Sequence, residues 1–316
     1  MSLKGKRILI TGGSGFLGRI LVRKLEKIGA QVYVPRSRRF DLVDYKACAR
    51  MFTTVMPNIV IHLAAYYGGI KINQKYPARI YFKNLVMGAN VIEHCRRWDV
   101  EKFIGVGTAC SYPGYLKGDL KEENLWDGPC HESVRNYGAT KKMLQIQCEA
   151  YKKQYGLDGI HLILANLYGE WDSYNPERSH VVAALVRKFV EAKMNNDTVV
   201  NVWGDGSPIR EFIYVGDVAD AIMLATDVYN DLSPLNIGTG IGTSILELVN
   251  MIQSITGYKG EIYWDTTMSS GQSKKILDIT KMKKVLGWEP KTSLQAGLKR
   301  TISWFEENYE EAVKRW

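Results

Sequence analysis

A short apolar run that stops in a glycine-rich turn and resumes at helical spacing constrains this chain more than any other feature. Lys6-Arg-Ile-Leu-Ile-Thr11 reads as a buried parallel strand, because its apolar residues run on instead of alternating. Gly12-Gly-Ser-Gly-Phe-Leu-Gly18 comes next, and Phe16, Leu17, Ile20, Leu21, Leu25 and Ile28 then recur on one helical face. Strand, turn and helix in that order predict an α/β fold: a Rossmann-like parallel sheet with helices on both faces. Gly12 suits the tight bend, Gly15 lets backbone approach a pyrophosphate, and Gly18 lets the helix pack closely on the strand. The phosphates would rest on the amide end of the helix, beside Ser14, Phe16 and Leu17.

The residues after the second strand, Gln31-Val-Tyr-Val34, separate the two nicotinamide dinucleotides. An acid there would accept from ribose hydroxyls, but the chain offers Pro35-Arg36-Ser37-Arg38-Arg39. Guanidinium forks at Arg36 and Arg38 suit a 2′-phosphate and predict NADP(H), with a solvent-facing basic turn as the alternative. Asp41 and Leu42 are expected at the adenine. A third strand ends in Leu63, Ala64 and Ala65, small enough for backbone to lie against the cofactor's ribose or nicotinamide edge. His62 beside them is either a cofactor neighbour or a hydrogen-bonded core histidine. A helical pattern runs from about Tyr76, past Pro77, to Trp98. Asn84 breaks its apolar side and is expected to satisfy backbone or water near the site.

Glu101-Lys-Phe-Ile-Gly-Val-Gly107 reads as the next strand, which puts Thr108 at the carboxyl edge where parallel sheets collect ligands. Tyr137 and Lys141 are four apart at the start of a further helix and share one face. A phenol titrates near 10 in water, and the neighbouring ammonium with a cationic nicotinamide is expected to bring it down for proton transfer. Thr108 would hold a carbonyl oxygen, Tyr137 would protonate it, and Lys141 would also bind the nicotinamide ribose. Residues 1–166 with about 212–241 are assigned to the nucleotide domain. About 167–211 and 242–293 go to a smaller substrate lobe, and 294–316 to a closing helix.

With 316 residues, 46% of them hydrophobic and 24% charged, the chain can bury a full core. Its net charge of +9 is scattered among acids, and no nucleic-acid motif accompanies it, so anionic small molecules are favoured over nucleic acid. The first apolar run is too short for a signal peptide core or a membrane span, so a soluble, cytoplasmic protein is expected. Five cysteines lack metal-type spacing, so reduced thiols and no metal are expected. Cys110 alone reads as a small buried hydrophobe, and His180 alone as a capping or surface residue.

Several longer segments carry a resemblance: Ala64-Ala-Tyr-Tyr-Gly-Gly-Ile70, Thr108-Ala-Cys-Ser-Tyr-Pro113, Asn166-Leu-Tyr-Gly169, Asn175-Pro-Glu-Arg-Ser-His-Val181 and Val202-Trp-Gly-Asp-Gly-Ser-Pro-Ile-Arg-Glu-Phe212. Nearly end to end, the chain resembles the GDP-L-fucose synthase family of extended short-chain dehydrogenase/reductases. The resemblance implies a Thr108, Tyr137, Lys141 reducing triad, with Cys110 as base and His180 as acid in epimerisation beside a ketone. It implies a GDP-linked 4-keto-6-deoxy sugar as substrate, held by Asn166, Arg187, Trp203, Arg210 and Lys274 or Lys275. NADPH as cofactor and a homodimer joined through helices near 76–98 and 137–155 are implied as well.

The chain departs from the common bacterial pattern at Thr108-Ala109, Tyr66-Tyr67 and Met268-Ser-Ser-Gly271. A 6-deoxy-heptose substrate, and C4 reduction with little epimerisation, therefore stay open. So do a 4-epimerase or dehydratase of the same fold and a non-catalytic NADP-binding regulator.

Overall fold

In the computed structural model, residues 2–267 and 272–314 are described; the Met268–Gly271 departure lies outside them. The first half alternates strand and helix: β1 (Arg7–Thr11), α1 (Phe16–Lys27), β2 (Gln31–Tyr33), α2 (Tyr45–Val55), β3 (Ile59–His62), α3 (Ile70–Lys75), α4 (Pro77–Arg97), β4 (Lys102–Thr108), α5 (Arg135–Tyr155) and β5 (Gly159–Leu164). Then come β6 (Asn166–Tyr168), α6 (Val181–Asn195), β7 (Val199–Trp203), β8 (Ile209–Tyr214), α7 (Val215–Val228) and β9 (Leu235–Ile237). The rest is β10 (Gly242–Ser244), α8 (Ile245–Thr256), β11 (Glu261–Asp265), β12 (Lys274–Lys275), α9 (Thr280–Leu286), α10 (Leu294–Glu307) and α11 (Tyr309–Lys314).

Six strands form one parallel sheet in the order β2-β1-β3-β4-β5-β9. Its central strands are buried on both faces, as their unbroken apolar runs require. One face packs on α1 and α7, and the other on α2, α4 and α5. A second, smaller unit contains β8 flanked by β6, β10 and β12, and the pair β7 and β11. Its core gathers Val182, Val186 and Phe189 of α6 with Leu248 and Ile252 of α8 and Leu298, Ile302 and Phe305 of α10.

The cores divide the chain differently from the sequence reading in two stretches. Leu277, Ile279, Met282 and Leu286 pack in the sheet's core, and the closing helix α10 packs in the lobe. Asp217 lies in the first turn of α7; its carboxylate accepts from the Thr292 N–H at 2.8 Å and so ties α7 to the entry of α10. Among the described residues, no helix is long and apolar enough to cross a membrane, and no group of three or more His, Cys, Asp or Glu is placed to hold a metal ion.

Candidate active site

The carboxyl edge of the sheet faces the lobe across a cleft of about 960 Å³. At its cofactor end the chain leaves β1 through Gly12, whose φ of +74° few side chains adopt. A Cβ there would lie 2.8 Å from the Ala64 amide nitrogen, and one on Gly18 would collide with the Gly12 carbonyl. The N-terminus of α1 is capped by no side chain, and Ser14, Gly15, Phe16 and Leu17 around it line the cleft. A dinucleotide pyrophosphate fits this cradle. Ser37, Phe40, Asp41 and Leu42 line the cleft beside it, as do Leu63, Ala64 and Ala65. Arg36 and Arg38 are exposed on the turn after β2 and do not line the cleft; Ser37 between them does.

His62 is a core histidine. It is buried with Nδ1 2.8 Å from Thr11 Oγ1, and burial, then the Lys141 charge, push it down to about 3. Thr11 Oγ1 also accepts from the Ala64 N–H at 3.3 Å, so the pair fixes the strand end that faces the cofactor. Asn84 does what its position on α4 suggested: its side chain accepts from the Tyr66 N–H at 2.8 Å and donates to the Tyr66 carbonyl at 2.9 Å, pinning the loop that carries Tyr67.

Thr108 ends β4, its hydroxyl oxygen accepting from the Cys110 N–H at 3.3 Å. Gly138 lets α5 press onto this turn, since a Cβ there would strike the Cys110 carbonyl, while Ser111 Oγ donates to the Gly138 carbonyl at 3.0 Å. Tyr137, Lys141, Thr108 and Cys110 consequently line one wall. Lys141 is buried and desolvation pushes it down to about 8. The protein's own groups push the Tyr137 phenol up, by burial first and then by Cys110 and Tyr67. The protein's own groups thus keep its proton in place, which suits an acid.

The lobe supplies the opposite wall. His180 lines the cleft with its ring stacked on Tyr67, centroids 5.8 Å apart and planes 4° from parallel; the residue is exposed, and the protein atoms around its ring, then the Lys275 charge, lower its pKa. Lys275 Nζ lies 3.5 Å from Cys110 Sγ. Asn166, Trp203 and Arg210 also line the cleft, with the Asn166 amide donating to the Glu211 carbonyl at 2.8 Å. Two expected substrate residues lie elsewhere. Arg187 is engaged by Glu191 at 2.8 Å and the Tyr174 carbonyl at 2.9 Å, and Lys274 pairs with Asp119 at 3.0 Å; neither lines the cleft.

Lys188 lines the cleft in place of Arg187. Helical period was the signal: Val181, Ala184, Leu185 and Lys188 lie on one face of α6, and Arg187 is turned about 100° from it. Tyr67 and Lys71 were missed because a loop and a short helix carry no period that would place them.

A model of the NAD dependent epimerase/dehydratase family matches residues 8–238. The chain is 38% identical over 306 residues to the putative GDP-L-fucose synthase 2 of Arabidopsis thaliana, which covers 96% of this chain and 93% of the relative. It is 36% identical over 313 residues to the GDP-L-fucose synthase of Escherichia coli strain K12, with 96% and 97% covered. Among solved structures, a GDP-L-fucose synthetase from Naegleria fowleri bound to NADP superposes with a TM-score of 0.92 at 30% identity, covering 99% of this chain and 96% of that one. A GDP-6-OMe-4-keto-L-xylo-heptose reductase from C. jejuni does so with a TM-score of 0.90 at 30% identity, covering 98% and 99%.

Proposed function

Because this chain belongs to the NAD dependent epimerase/dehydratase family, we propose that it is an NADPH-dependent 3,5-epimerase/4-reductase of a GDP-4-keto-6-deoxy sugar, forming GDP-L-fucose or a related GDP-deoxysugar. The observation that carries this reading is the convergence of Thr108, Tyr137 and Lys141 with Cys110 and His180 on one cleft that begins at the dinucleotide turn. The likeness to GDP-L-fucose synthases over nearly the whole chain supports it.

The bound cofactor would supply hydride to the carbonyl carbon. Tyr137, whose phenol holds its proton, donates that proton to the carbonyl oxygen, and the Thr108 hydroxyl positions the oxygen. The Lys141 ammonium then faces the phenolate that remains. For epimerisation, the C4 ketone acidifies the hydrogens at C3 and C5. Cys110 would remove one and His180 would return one from the other wall of the cleft. Lys275, donating to the Cys110 sulfur at 3.5 Å, is the partner such a thiolate needs.

A second reading is a C4 reductase of a GDP-4-keto-6-deoxy-heptose with little epimerase activity. The likeness to the heptose reductase favours it. A purely regulatory role is set aside, because such a protein has no use for hydroxyl, phenol and ammonium on one wall.

Incubation with GDP-4-keto-6-deoxy-mannose, or its heptose counterpart, in D2O with and without NADPH tests both readings. Deuterium at C3 and C5 together with NADPH consumption is the expected result. NADPH consumption without exchange selects the second reading, and no reaction with either sugar overturns both.

A further inference from the structure

A contact at the mouth of the cleft joins its two walls, and the reaction chemistry does not use it. Lys71, exposed on α3 of the sheet domain, holds its Nζ 4.3 Å from the centre of the Trp203 ring, at the end of β7 in the lobe. Lys188 reaches the same ring from α6 at 5.3 Å, while its Nζ donates to the Asn201 carbonyl at 2.6 Å. Burial and then the Lys71 charge push the Lys188 ammonium down, with Asp265 opposing them. Arg210 and Lys275 line the cleft as well, and the carboxylates among the lining residues are Glu177 and Asp41.

Two like charges held over one indole repel each other. A ligand with two negative charges lying between them converts that repulsion into two attractions, and the indole remains as an apolar wall. The helix that carries Lys71 is anchored at its start, because Asn73 on the same helix is buried and its amide donates to the Gly68 and Gly69 carbonyls at 3.1 and 3.2 Å.

We propose that Lys71 is a ligand for the diphosphate of the nucleotide substrate. It rests on Trp203 in the free protein, and a diphosphate lying between Lys71 and Lys188 draws it off the ring. The substrate then ties the sheet domain to the lobe across the cleft. This deepens the reading above and rests on it for the presence of a nucleoside diphosphate sugar.

Calorimetric titration of GDP, UDP and guanosine into the wild type, Lys71→Met and Lys71→Arg at low and high salt tests the assignment, with NADPH titration and thermal melts reporting on the fold. Lys71→Met is expected to weaken GDP about tenfold, to leave guanosine and NADPH unchanged, and to flatten the salt dependence of GDP binding. Lys71→Arg is expected to keep most of the affinity. Equal GDP affinity in wild type and Lys71→Met overturns the assignment. Equal weakening of GDP and guanosine does so too, because Lys71 would then act only through the placement of Trp203. If the wild type binds UDP and not GDP, the guanine assignment under the proposed function falls, and the Lys71→Met comparison is decided on UDP. A wild type that binds neither overturns both.

Discussion

Lys141 carries a pH signature that separates its burial from its chemistry. Desolvation brings its pKa from an ordinary 10.5 to about 8, so between those values the unfolded chain binds more protons than the folded one, and stability rises with pH. The cost of holding the charge is present in full below about pH 8 and is gone above 10.5. Lys141→Met is therefore expected to be more stable than the wild type at pH 7, by up to about 3 kcal/mol in denaturant unfolding, with the gap closing as pH rises through this window. Buried Lys102, also pushed down to about 8, contributes the same slope to both proteins and cancels in the comparison. A gap independent of pH would show that Lys141 does not titrate there. Replacing Tyr137 with Phe removes the proton donor and is expected to lower kcat for reduction by about 10²- to 10⁴-fold, with NADPH affinity retained. Cys110→Ser is expected to abolish deuterium exchange at C3 and C5 while some direct reduction survives. Equal loss of both activities would mark a structural thiol.

At the scale of elements, the sheet-domain side of the cleft depends on residues that let or make two pieces of backbone meet. Asn84 was legible as an oddity in the apolar side of α4, yet its partner, the backbone of Tyr66, lies on a loop that no period locates. Asn84→Leu leaves the Tyr66 N–H and carbonyl without that partner. A loss of about 1 to 3 kcal/mol in denaturant unfolding is expected, together with weaker NADPH binding because the loop borders the cofactor cleft. Unchanged NADPH affinity would show that the loop holds its shape without Asn84. The shape of the glycine turn was readable at Gly12 and Gly18, because a positive φ at Gly12 and the packing of Gly18 on the Gly12 carbonyl are local demands that leave a mark in sequence. The Arg187 assignment failed for an equally local reason. A one-residue shift on a helix rotates a side chain about 100° away from the face that counts.

For the whole molecule, the apolar surface that remains exposed lies partly on the paired helices α4 and α5. Phe82 is 56% exposed, Tyr81 47% and Ile146 44%. A face of this kind on two packed helices suits a self-complementary contact about a two-fold axis, in line with the homodimer that the family resemblance implies. The wild type is expected to sediment as a dimer, and Phe82→Glu combined with Ile146→Glu as a monomer. A monomeric wild type would remove the proposed interface. The lobe is assembled from stretches far apart in the chain, α6, α8 and α10, around one core. No local pattern assigned α10 to it in advance.

The chain by itself determined the parallel sheet, the dinucleotide turn and the order of Thr108, Tyr137 and Lys141, because each rests on periodicity or glycine geometry within a few residues. Tertiary structure alone decided which cations face the cleft: Lys71 and Lys188 stand beside the expected Arg210 and Lys275, while Arg187 and Lys274 lie outside it. It also decided the surroundings of the Tyr137 phenol, which burial first and then Cys110 and Tyr67 push up. Desolvation and the direction a side chain takes depend on what packs around it, and those neighbours come from remote parts of the chain.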